Sequence, residues 1–272
     1  MTERQGVTQL ASATINAHGV KLTAAQGSVV TFTGGAIVNA ANEGCLGGGG
    51  VDGAINRAGG AALHEAREAL PYVDARCGVR CFTGHATSTI AGELPCHYVI
   101  HAVGPNYRDY ESIADADLLL YRAYHSSVLE ALALGIDDVA FCLLSAGIFR
   151  GRRSLKDVLR LGVLAASAAA SRVGEESKLK EIFVVAFLPQ EVEALTTVVN
   201  ELLVNADAPS ATEALLRRLG PGVREMHQRA MGGASVPLEP PIGYSMAMAA
   251  AFAMPPAPPP PPAADEPEAM VD

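Results

Sequence analysis

The stretch AIVNAANEGCLGGGGVDGAINR, residues 36–57, decides how this chain is read. It opens as an apolar strand, Ala36 to Val38, and closes as a helix carrying Val51 and Ile55. Between the two lie Gly47, Gly48, Gly49 and Gly50. A run without Cβ atoms lets the backbone approach a ligand closely and turn several N–H groups toward it. Taken alone, the same letters suit a flexible linker. The flanks favour a site: Asn39 and Asn42 stand at the carboxyl end of the strand, where open α/β sheets place their ligands. Asp52 opens the helix that follows, although a carboxylate there also serves as a simple N-terminal residue.

Working outward, short apolar runs rich in β-branched residues alternate with longer helical patterns, the signature of an α/β domain with a largely parallel sheet. Strands are expected at Val20 to Ala25, Ala36 to Ala40, Arg80 to Ile90, Tyr98 to Val103, Asp138 to Leu143 and Glu181 to Phe187. Asp115 to Leu134 places its apolar residues three and four apart and stops at Gly135, which predicts a core-facing helix. Ser154 followed by Asp157 reads as an N-cap for a helix from Leu155 to Val173, and Gln190 to Val204 reads as a last helix.

A second loop, LSAGIFRG at 144–151, again follows an apolar strand directly. Its N–H groups can form another anion cradle, and Phe149 offers a flat face to a sugar or base, or simply packs in the core. Arg150, Arg152 and Arg153 are either phosphate contacts or a solvated face.

The 272 residues suit one domain with appendages, and their formal net charge of −9 argues against general nucleic-acid binding, which needs Lys and Arg to displace counterions. No apolar run reaches the roughly 20 residues of a membrane-spanning helix. Five cysteines and no secretory leader at Met1 suggest reduced thiols in cytoplasm or nucleus. Cys77, Cys81 and His85 would line one helical face as zinc ligands, but Gly78, Thr83 and Gly84 oppose a helix there, so the stretch is read as a buried strand with no metal. His101, on an apolar strand, is read as a satisfied core residue, and Cys45 as a space-filler.

The chain is therefore divided into an N-terminal lead at 1–11, one domain at 12–205 and a Pro/Ala-rich tail at 206–272. Apart from one short helix at Thr212 to Leu219, the tail is too poor in periodicity to offset its ordering entropy and is expected to be disordered. Its prolines, Pro255 to Pro262, are either an unpaired linker or a polyproline ligand for a protein partner.

Four motifs in order resemble the macro domain family: VNAAN at 38–42, GGGGVDG at 47–53, VIHAVGP at 99–105 and SAGIF at 145–149. The similarity spans about 190 residues and is greatest to the hydrolase branch with MacroD-type and viral domains. It implies a three-layer α/β/α fold around a mixed, roughly six-stranded sheet, with ADP-ribose or an ADP-ribosylated protein as partner and no cofactor. By motif, the turn Gly47, Gly48, Gly49, Gly50 and Val51 would embrace the distal ribose. Ser145, Ala146, Gly147, Ile148 and Phe149 would hold the diphosphate, with Phe149 covering the ribose. Asn42 would bind the distal ribose hydroxyls, with Asn39 behind it on the same strand, and Asp52 would position or activate water. Phe187 would lie against adenine, beside Ser28 and Val29.

Three positions depart from the family pattern. Ser28 stands where an aspartate commonly recognises the adenine amino group. Gly35 replaces an aspartate before the strand, which we read as structural. Asn56 replaces the histidine that orients the catalytic aspartate in MacroD-type sequences, although viral-type sequences often carry asparagine there. The resemblance thus implies a mono-ADP-ribosylhydrolase acting on ADP-ribose ester-linked to Asp or Glu, with O-acetyl-ADP-ribose or nucleic acid ends as further substrates, and with a non-catalytic ADP-ribose reader and an ADP-ribose 1″-phosphate phosphatase as alternatives.

Overall fold

Val38 pairs with Ile100 on one side and with Phe141 on the other, which sets the strand before the glycine run in the interior of a sheet. The computed structural model describes residues 3–4, 6–171 and 173–232. Its strands are β1 (Glu3–Arg4), β2 (Val7–Thr14), β3 (Lys21–Gly27), β4 (Ala36–Ala40), β5 (Ala86–Ile90), β6 (Tyr98–Ala102), β7 (Asp138–Phe141) and β8 (Glu181–Ala186). They form one sheet in the order β1-β2-β3-β8-β7-β4-β6-β5. The pairs from β3 to β6 are parallel and the outer pairs antiparallel, so the sheet is mixed, as expected.

The helices are α1 (Gly50–Glu68), α2 (Ile113–Leu134), α3 (Leu155–Ala170), α4 (Pro189–Val199), α5 (Ala208–Arg218) and α6 (Pro221–Met231). Every residue of β6 and of β8 is buried. Because alternate side chains point to opposite faces, such strands are covered on both sides, which is why they read as predominantly apolar runs, His101 and Glu181 apart. The expected stop and cap are present: Gly135 closes α2 in the left-handed conformation, and the Ser154 hydroxyl accepts the Asp157 N–H at 3.1 Å.

Four expectations need correction. The sheet has eight strands rather than about six, because the lead at 1–11 supplies β1 and most of β2, whose pairing with β3 covers that edge. The strand expected from Arg80 begins only at Ala86. Before it, the N–H groups of Arg80 and Cys81 both donate to the Glu43 carbonyl and that of Thr83 to the Glu43 carboxylate, so the segment turns to brace the loop after β4. The helix expected to run to Val173 ends at Ala170. The tail does not start at Ala206: α5 and α6 extend the short helix expected at Thr212 to Leu219 and bury Leu215, Val223, Met226 and Ala230. Short amphipathic helices of this kind become stable only against a neighbouring surface, here α2 and α3 for α6, and the helical turn at Asn200–Val204 together with α6 for α5. The Pro-rich segment of the tail lies outside the described residues.

Candidate functional site

The glycine run turns the chain from β4 into α1 at the carboxyl end of the sheet. Gly49 is the residue before the helix and Gly50 begins it with φ 59, a left-handed conformation that a β-substituted residue adopts only with strain. The first N–H of this turn that bonds back along the helix is that of Gly53, to Gly49. The amides of Gly50 and Val51 are thus among the helix-start donors that lack an intrahelical acceptor and favour an anion.

Facing them is the second loop. Tyr124 of α2, fully buried, accepts the Leu144 N–H at 3.0 Å, and the Ser145 hydroxyl donates to the Pro105 carbonyl at 2.8 Å. Ser145 sits at φ 51, and a Cβ on Gly104 would collide with its hydroxyl. The motif at 99–105 therefore acts as backing for this loop. Arg150 and Arg153 are engaged by partners within the chain: Arg150 bonds the carbonyls of Ala146 and Arg153, while Arg153 pairs with Asp117 at 2.9 Å and Asp157 at 3.1 Å.

Between the two loops opens a cleft of about 430 Å³, within the range of small-molecule sites. Of the expected residues, Ser28, Val29, Gly50, Val51, Ala146, Gly147 and Phe187 line it. Phe187 is 68% exposed, an uncovered aromatic at the cleft mouth. Ser28 caps the turn at Val29–Thr31 by accepting the Val30 N–H at 3.3 Å, so its hydroxyl already has a local partner. The lining also includes Glu191, which sequence reading missed. Its Oε2 accepts the N–H groups of Phe187 and Leu188 at 3.0 and 2.9 Å, fixing the segment that carries the ring. Cys142 lines the floor with its thiol pushed up to about 12 by burial, which leaves it protonated and unsuited to nucleophilic work. Ile148 and Phe149 lie outside this lining; Ile148 is 74% exposed.

Beside the cleft, Asn39, Asn42, Gly47, Gly48, Asp52 and Asn56 form a second cluster. Asp52 is buried rather than a solvated cap. Its Oδ1 accepts from Asn39 Nδ2 at 2.7 Å and from Arg67 Nη2 at 2.8 Å. Its Oδ2 points the other way: a Cβ placed on Gly48 would stand 3.0 Å from Asp52 Oδ2 and 3.5 Å from Asn42 Nδ2. Asn42 Nδ2 in turn donates to the Gly47 carbonyl at 2.9 Å, holding the turn.

Asn39 also reaches His101, whose Nδ1 lies 3.2 Å from Asn39 Nδ2. The carboxylate of Asp52 can only accept, so the Asn39 NH₂ group faces it and its second hydrogen is directed at His101 Nδ1. Nδ1 then accepts and Nε2 carries the proton toward the Thr89 hydroxyl at 2.9 Å. Burial, assisted by the charge of Arg67, holds this imidazole well below the usual histidine range, consistent with a neutral ring. His101 is the satisfied core residue expected, with the added task of fixing Asn39.

Arg67 escaped the sequence reading, yet it is fully buried and binds three groups of the site: Asp52, the Cys45 carbonyl and Asn56 Oδ1, the last at 3.4 Å. A signal was available. Arg67 stands four residues after buried Leu63, so a charge falls on the apolar face of the helix pattern.

A family model described as Macro domain matches residues 38–158. The chain is 45% identical over 124 residues to the O-acetyl-ADP-ribose deacetylase of Escherichia fergusonii, covering 46% of this chain and 67% of that one. It is 40% identical over 165 residues to O-acetyl-ADP-ribose deacetylase 1 of Pantoea vagans, covering 58% and 90%. Among solved structures, the Oceanobacillus iheyensis macrodomain with ADP superposes with a TM-score of 0.59 at 26% identity, covering 71% of this chain and 96% of that one.

Proposed function

The chain belongs to the macro domain family, and from that premise we propose that it binds ADP-ribose in the cleft and hydrolyses an ester joining ADP-ribose to an acyl group. The acyl group is the side chain of a modified Asp or Glu, or an acetyl group. One observation carries the hydrolytic reading: Asp52 Oδ2 and Asn42 Nδ2 converge beside Gly48 while Asp52 Oδ1 is tied back by buried donors. A carboxylate held in this way can orient a water and take its proton.

In the reaction the cleft fixes the nucleotide, with the diphosphate between the α1 N-terminus and the loop at Ala146 and Gly147, and the base near Phe187. The distal ribose then lies at the glycine turn, where Asn42 bonds its hydroxyls. Water attacks the acyl carbon and gives its proton toward Asp52. The ester C–O bond breaks, the acyl group leaves as a carboxylate, and the sugar oxygen regains a proton. The names of the Escherichia and Pantoea relatives support ester chemistry of this kind.

Asn56 gives weight to a second reading, an ADP-ribose reader without turnover, because an amide cannot exchange a proton near neutral pH. One experiment separates the two. The protein and an Asp52→Ala variant are incubated with a target carrying glutamate-linked mono-ADP-ribose, and free ADP-ribose is followed with time. Release by the first alone supports the hydrolase; binding in calorimetry without release supports the reader.

A further inference from the structure

Arg67 and Asp52 are fifteen residues apart within α1. Fifteen residues of straight helix rise roughly 22 Å, far beyond the reach of an arginine side chain. The contact exists because α1 is broken at Gly60, which has φ 65 and ψ −160, so the second segment folds back beneath the first. A Cβ at Gly60 would also strike the Glu93 carboxylate. The break thus brings a guanidinium with no solvent exposure under a carboxylate that is 3% exposed.

We propose that Arg67 is a positioning residue for the hydrolysis, anchoring Asp52 Oδ1 so that Oδ2 is presented to the glycine turn. The inference rests on the hydrolase reading. Three contacts define the role. Nη2 bonds Asp52, Nε bonds the carbonyl of Cys45 before the turn, and Nη1 reaches Asn56 one helical turn after Asp52. One planar group thereby fixes the carboxylate and both flanks of the glycine run, and the fork geometry of arginine supplies what a lysine cannot.

Charge explains why the pair is kept together. An ionised carboxylate removed from water is costly unless a counter-charge and hydrogen bonds replace the lost hydration. Arg67 provides both on the Oδ1 side, away from the turn. With Asn39 as the only other donor to that oxygen among the described residues, loss of Arg67 frees the carboxylate to rotate and removes its counter-ion.

The test measures steady-state release of ADP-ribose from glutamate-linked mono-ADP-ribosylated protein by the wild type, Arg67→Met, Arg67→Lys, Asp52→Asn and the Asp52→Asn/Arg67→Met double variant. Folding is checked by thermal melting and ADP-ribose affinity by calorimetry. Misplacing a reacting group by about 1 Å can cost on the order of 100-fold. The expected result is a kcat lowered roughly 100-fold in Arg67→Met with KM and ADP-ribose affinity held, partial recovery in Arg67→Lys, and no further loss when Arg67→Met is added to Asp52→Asn.

Should Arg67→Met fail to fold, Arg67→Lys carries the test with an expected drop of about tenfold in kcat at unchanged KM. A wild-type kcat in the folded Arg67 variant, or a loss confined to affinity, overturns the inference while leaving the hydrolase reading intact. A wild type that binds ADP-ribose and releases none overturns both.

Discussion

Asn39 and Asp52, thirteen residues apart, are joined by a hydrogen bond of 2.7 Å that ties the end of β4 to the first turn of α1 across the whole glycine run. Both partners are buried, and the same amide serves His101.

Replacing Asn39 by alanine removes a donor from Asp52 and from His101 Nδ1 together. Stranding buried acceptors in this way costs about 1–3 kcal/mol. Urea unfolding of Asn39→Ala is expected to show that loss; a stability equal to wild type would mean that water replaces the amide without cost.

Phe187 is mostly exposed and contributes little to the core. Phe187→Ala is expected to keep the folded stability within about 0.5 kcal/mol. Stacking of a base on an aromatic ring is worth about 1–3 kcal/mol, so ADP-ribose affinity is expected to fall roughly 5- to 150-fold. Calorimetry checks this, and an unchanged dissociation constant would place the base elsewhere.

Burial is the leading cause that holds His85, His101 and His227 below the ordinary histidine range, with His85 at about 4. The unfolded chain takes up these protons near pH 6.5. It therefore binds more protons than the folded one at lower pH, so stability is greatest above about pH 6.5 and falls toward pH 4. Asp117 and Glu130, raised by burial, bind protons when folded and oppose the trend at its acid end. Denaturant midpoints from about pH 7 to about pH 4.5 are expected to decline, less steeply in His85→Gln. A slope identical in the two proteins would exclude His85 as a contributor.

Helix α6 buries Met226 and Val223 against the body of the domain. Met226→Ala is expected to destabilise by about 2–5 kcal/mol, near the low end because an edge helix can settle into the space. An unchanged melting temperature would show that α6 unfolds independently.

Much of this was legible in the letters. The strand at Ala36–Ala40 matched its expectation, and the helix at Ile113–Leu134 began two residues before it, because each follows one periodicity without interruption. Segments held by non-periodic contacts were not legible. Arg80 to His85 reads as the start of a strand, yet the amides of Arg80, Cys81 and Thr83 go to Glu43, forty residues distant in the case of Thr83. β2 lay within a weakly patterned lead, and α5 and α6 within a stretch dominated by small and charged residues.

The sequence by itself determined the α/β class and set Asn42 and Asp52 on the two sides of the glycine run, because glycine runs, strand ends and helix starts are local features of chain chemistry. Tertiary structure alone decided which oxygen of Asp52 is anchored and by what. Arg67 reaches it only because the helix breaks at Gly60, and no local periodicity encodes the fold-back that turns a charge at the end of a helix into the buried partner of a carboxylate at its start.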